Sequence, residues 1–126
     1  MKNALIERFM NIRLHTVEIC EPLQVEDYVA QPIEDVSPPK WHLAHTTWFF
    51  EAFILEKFSK DYSVYDKDFS FLFNSYYNNV GDRVFRADRG NITRPDVNEV
   101  YKYRSHVDEQ INTLLKENNS QELIDL

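Results

Sequence analysis

Three stretches of the chain repeat apolar side chains at steps of three and four, and that spacing admits few folds other than packed α-helices. In the first, Leu5, Phe9, Ile12, Thr16 and Ile19 form a row that Ile6, Met10 and Val17 widen, so a helix is expected over about 2–20. Glu21 and Pro22 close it, since proline disfavours helical geometry in the residue before it. The second begins at Ser37, whose hydroxyl can cap free amides, and Pro38, which suits a first helical position; it runs to about Phe58. Its row is Trp41, His45, Trp48, Ala52 and Leu55, with His42, Phe49 and Phe53 alongside, so both histidines are expected to face the apolar side. The third opens on Asp96 and Glu99, an Asp-x-x-Glu capping box behind Pro95. It carries Val97, Val100, Tyr101, Arg104, Val107, Ile111 and Leu114 over about 96–117.

After Asn118 and Asn119, Ser120 is placed to cap a further helix of which only QELIDL is present. The expectation is an all-α bundle of three long helices and a truncated fourth, one helical domain across residues 1–126. So short a last helix is marginal without packing, and a bundle missing most of it exposes apolar surface. Further chain or a second copy in a homodimer is expected to cover that surface.

Composition agrees with a packed helical chain: 43% of residues are hydrophobic and only two are glycine. A formal charge of -7 argues against a surface that neutralises nucleic-acid phosphates. Cys20 is the one cysteine, which excludes an intramolecular disulfide and a cysteine-rich zinc site and leaves a small buried apolar group as its expected role. Charges interrupt MKNALIERFMNIRLH, unlike a signal peptide, and no apolar run approaches the roughly 18–20 residues of a membrane span, so a cytoplasmic chain is expected. The connection over residues 59–95 is too long to be structureless. Within FSFLFNSYYNNVGDRVF, Phe69, Phe71, Phe73, Tyr76 and Tyr77 are expected to anchor short helical turns over one end of the bundle, with Gly81 at a turn.

His42 and His45 stand three apart and so occupy neighbouring positions on one helix surface. Two histidines do not make a site: they are either part of a metal centre or core histidines hydrogen-bonded to backbone or carboxylate. His15 and His106 fall at other heights of an antiparallel bundle and are not favoured as partners. Glu51, nearly two turns beyond His45, is expected to be solvated or to touch a ligand instead of sharing the metal. Arg83, Arg86 and Arg89 form the one basic cluster, suited either to surface pairing with Asp82 and Asp88 or to a fork-like clamp on a carboxylate.

Through IRLHTVEICEPLQVEDY, SPPKWHLAHTTWFFE, FNSYYNNVGDR, RGNITRP and EVYKYRSHVD, the sequence resembles the N-terminal DinB-like domain of ergothioneine-biosynthesis sulfoxide synthases. The resemblance implies a four-helix bundle joined to a C-terminal domain similar to formylglycine-generating, sulfatase-modifying enzymes. Those synthases use non-haem iron(II) and oxygen to join a thiol, cysteine or γ-glutamylcysteine, to the imidazole of Nα-trimethylhistidine as a sulfoxide. By the same resemblance His45 is one of three histidine ligands to iron, His42 is at most auxiliary, and Arg86 and Arg89 bind the carboxylates of the thiol substrate. The other two ligands would come from an HExxH motif on the fourth helix, and the sequence ends at ELIDL before any such motif. The expected function is therefore the iron- and substrate-binding part of such an enzyme, without catalytic residues of its own and inactive alone. The alternative is a stand-alone, non-catalytic helical protein that works by homodimerisation or partner binding.

Overall fold

The computed structural model describes residues 2–75 and 83–117. Helix α1 spans Lys2–Cys20, α2 Pro39–Phe50, α3 Glu56–Phe58, α4 Phe69–Phe73 and α5 Val97–Glu117. A π-helical segment, Glu51–Leu55, joins α2 to α3 without a break, and short 3-10 turns occupy Val25–Val29 and Arg86–Asn91. Among the described residues there is no strand, and no helix is long and apolar enough to cross a membrane. The all-α expectation holds, with the long helices close to their expected bounds. Tyr76, Tyr77, Gly81 and the helix start at Ser120 lie outside the described residues.

Helix α5 begins as its sequence demands. The Asp96 carboxylate accepts the Glu99 N–H at 2.8 Å, which satisfies one of the orphan amides of the first turn. Helix α2 begins differently: Pro38 takes the cap position without a side-chain bond, and the Ser37 hydroxyl instead accepts from Arg89 at 2.8 Å. Ser37 therefore caps no amide, contrary to expectation, because a buried guanidinium competes for its oxygen.

The core lies between α2 and α5. Leu43, Ala44, Leu55, Val100, Tyr103, Val107 and Ile111 are all buried to within 1%, and full burial of a side chain as large as leucine or valine contributes roughly 1.5–3 kcal/mol. Helix α4 sends Phe69 and Phe73 into the same core, whereas Phe71 is half exposed, because positions four apart share one face of a helix and the one midway between them points the other way.

Helix α1 turns a different row inward from the expected one. Phe9, Arg13 and Cys20 are buried, while Ile12 and Ile19 are 54% and 64% exposed. The reason is polar: Arg13 reaches Asp108 on α5 at 2.7 Å and Thr47 on α2 at 2.6 Å, and rotating α1 to bury Ile12 would break both contacts. Phe9 completes the seam, edge to face with Phe50 at 5.0 Å. Cys20 is a free, buried thiol whose pKa burial pushes up, the apolar role expected of it.

Glu51 is not solvated. It is 2% exposed at the start of the π-helical segment and accepts from the Tyr103 hydroxyl at 2.7 Å, the Tyr65 N–H at 3.0 Å and the Tyr62 hydroxyl. Burial, reinforced by the Glu51 carboxylate, raises the pKa of both tyrosines, so their phenols stay protonated as donors.

Candidate functional site

An open cavity of about 480 Å³ lies beside the N-terminal half of α2, and all four residues singled out for ligand chemistry line it: His42, His45, Arg86 and Arg89. Trp41, Ser37, Asp35, Val36 and Ser75 complete its wall. The histidines come from α2, the arginines from the 3-10 turn at Arg86–Asn91, and Ser75 from the segment after α4.

The two histidines are not equivalent. His45 is half-buried, and its Nδ1 lies 2.6 Å from the Phe73 carbonyl oxygen. A carbonyl only accepts, so the neutral ring carries its proton on Nδ1 and keeps its lone pair on Nε2, the form in which a metal-ligating histidine is usually held. Trp41 stacks on the ring at 4.5 Å with 9° between planes, and Trp48 lies 5.9 Å away. Burial lowers the His45 pKa, opposed by the Phe73 bond and helped by the nearby Arg89 charge. His42 is exposed and meets Trp41 edge to face at 5.3 Å, so it does not face the core as expected; burial and Arg89 lower its pKa as well. His15 is exposed beside Glu18, and His106 packs against Tyr62 and Tyr65; neither lines the cavity.

The basic cluster divides in the same way. Arg86 is exposed, whereas Arg89 is 5% exposed and has no carboxylate partner among the described residues. Its Nη1 donates to Ser37 at 2.8 Å and its Nη2 to Ser75 at 3.2 Å, while its carbon centre sits 3.6 Å over the Trp41 ring. The buried Nε finds no acceptor among the described residues. Arg89 is thus held by hydroxyls and not by Asp88; Asp82 lies outside the described residues. Burial, then the charges of Arg86 and Arg83, lowers its pKa to about 10. A buried cation that, among the described residues, meets hydroxyls and an aromatic face and has an N–H to spare is suited to receive an anion.

One turn of chain fastens the whole wall. Trp41 Nε1 donates to the Leu72 carbonyl at 3.2 Å, Phe73 orients His45, and Ser75 holds Arg89. Nothing in sequence spacing links residues 72–75 to α2, which is why Trp41, Ser37 and Ser75 were not among the expected site residues.

The arrangement fits one position of a metal centre and does not complete one. Among the described residues, no three His, Cys, Asp or Glu side chains gather closely enough to hold an ion.

The pattern described as the DinB superfamily matches residues 12–125. The chain belongs to the DinB superfamily. The match covers most of α1, all of α2, the 3-10 turn at Arg86–Asn91, α5 and every residue that lines the pocket. No curated protein matches the sequence. In this DinB chain the pocket opens beside α2, where exposed His42 and half-buried His45 meet the buried arginine.

Proposed function

We propose that this DinB domain is the iron- and substrate-binding part of a sulfoxide synthase of the ergothioneine-biosynthesis type. His45 offers one ligand to iron(II), with His42 beside it as an auxiliary, and Arg89 with Arg86 receives the carboxylate of an amino-acid thiol, cysteine or γ-glutamylcysteine. The observation that carries this reading is the shared cavity: a histidine with its Nδ1 already engaged faces the same space as a buried arginine that has no carboxylate partner among the described residues. The remaining ligands and the C-terminal domain belong to parts other than the described residues, so the chain alone is expected to form no sulfoxide.

The carboxylate site is tested by calorimetric titration with cysteine and γ-glutamylcysteine. Replacing Arg89 by methionine removes a charge-assisted contact of roughly 1.5–3 kcal/mol, a loss of tenfold or more in affinity. Arg86→Met, at an exposed position, costs less. Equal affinities for the native chain and the Arg89→Met variant would refute the assignment.

A second reading, association with a second copy, is favoured by one observation: Ile12 and Ile19, seven apart on α1, are both more than half exposed. Light scattering of the native chain and of Ile19→Asp tests it. A dimer that the substitution dissociates supports the reading, and a native monomer ends it.

A further inference from the structure

The pocket wall also carries a charge of opposite sign that has no partner among the described residues. Asp35 lines the His45 cavity and an adjoining one of about 300 Å³, and in both it stands with Arg86 and Arg89. Opposite charges lining one small space ordinarily close on each other, yet Asp35 makes no ion pair or hydrogen bond among the described residues. Arg89 is held away from it by three contacts: the hydroxyls of Ser37 and Ser75 and the face of Trp41. Ser37 follows Asp35 by two residues, so the spacing of carboxylate and guanidinium is tied to a very short span of chain.

We propose that Asp35 receives the ammonium group of a zwitterionic ligand whose carboxylate lies on Arg89, so that Asp35 makes the pocket prefer an amino acid to a plain carboxylic acid. This rests on the carboxylate site proposed above and assigns a residue that selects among its ligands. A ligand carrying only a carboxylate satisfies Arg89 but adds a second negative charge beside Asp35. A zwitterion answers both charges and leaves the net charge of the pocket unchanged, so each end of the ligand meets its opposite. Asp35 is exposed, which limits the preference to that of a solvent-screened ion pair.

The test compares cysteine with 3-mercaptopropionate, the same thiol acid without its amino group, by calorimetry on the whole chain. The native protein is expected to bind cysteine about fivefold more tightly. Asp35→Asn is expected to abolish that preference while leaving 3-mercaptopropionate bound as well as before or better. Equal binding of the two ligands by the native chain, or an equal loss for both in Asp35→Asn, overturns the role of Asp35. If that equal binding still disappears in Arg89→Met, the arginine site stands and only the Asp35 inference falls. Failure of both ligands to bind the native chain overturns the two together.

Discussion

Replacing Asp108 by alanine is expected to cost about 3–5 kcal/mol, the usual penalty for removing one partner of a buried ion pair. The Asp108 carboxylate lies 2.7 Å from Arg13 Nε, and the two side chains are 18% and 4% exposed. It serves a second cation as well. Arg104 is buried beside Arg13; its Nη1 donates to the Leu43 carbonyl at 3.0 Å and its Nη2 to the Arg13 carbonyl at 3.0 Å. Burial, then the Arg13 charge, brings the Arg104 pKa down to about 10, against the pull of Asp108. Without Asp108, two neighbouring guanidiniums would share only hydroxyls and carbonyls, and mutual repulsion would add to desolvation. Since small domains are stable by about 5–15 kcal/mol, much of the folding free energy is at stake. Urea unfolding reads the loss as a lower midpoint at unchanged slope. Arg13→Met combined with Asp108→Leu is expected to recover part of it, because the second change also removes the Arg13 charge and its repulsion of Arg104, which keeps its carbonyl acceptors. A loss under about 1 kcal/mol for Asp108→Ala would mean that the pair behaves as a solvated surface bridge.

The second large effect is expected at Glu51. Replacing it by leucine removes the acceptor for three donors at once: the Tyr103 and Tyr62 hydroxyls and the Tyr65 N–H. An unsatisfied buried donor costs about 1–3 kcal/mol, and Tyr103, fully buried, has no route to water. Tyr62 and Tyr65 are less enclosed and recover part of their loss, so about 3 kcal/mol is the expected total for Glu51→Leu. Tyr103→Phe removes one donor together with the group that needed it, and is expected to cost only about 1 kcal/mol. The same unfolding measurement separates them; equal costs for Glu51→Leu and Tyr103→Phe would show that the other two donors contribute nothing.

These two sites also mark where sequence stops being readable. The three long helices are legible because apolar spacing, prolines and the Asp96 cap are local signals, and the DinB assignment rests on patterns spread along the chain. The face that α1 presents is not legible: Ile12 and Ile19 are the better apolar residues, yet Arg13 is buried because its partner lies 95 positions away on α5. Glu51 looks like a solvated helix residue until Tyr103, 52 positions on, reaches it. Ser37 has the residue type and place of a cap, and only the path of the 3-10 turn gives its oxygen to Arg89.

For the pocket, residue type was informative and rank was not. Spacing alone put His42 and His45 side by side; the Phe73 carbonyl is what distinguishes them in the structure. Three arginines at equal intervals read as one cluster, and burial singles out Arg89. Asp35 and Ser75 carry no local signal, since each gains its place only when separate segments close on the end of α2.

Whether His45 and Arg89 form one ligand pocket is decided by following the ¹⁵N resonances of the chain during a titration with cysteine. Saturable shifts are expected to converge on the Trp41 indole N–H and the backbone of residues 35–45 and 86–89, and to vanish in Arg89→Met. Saturable binding whose shifts fall elsewhere, or that survives unchanged in Arg89→Met, would contradict a shared pocket.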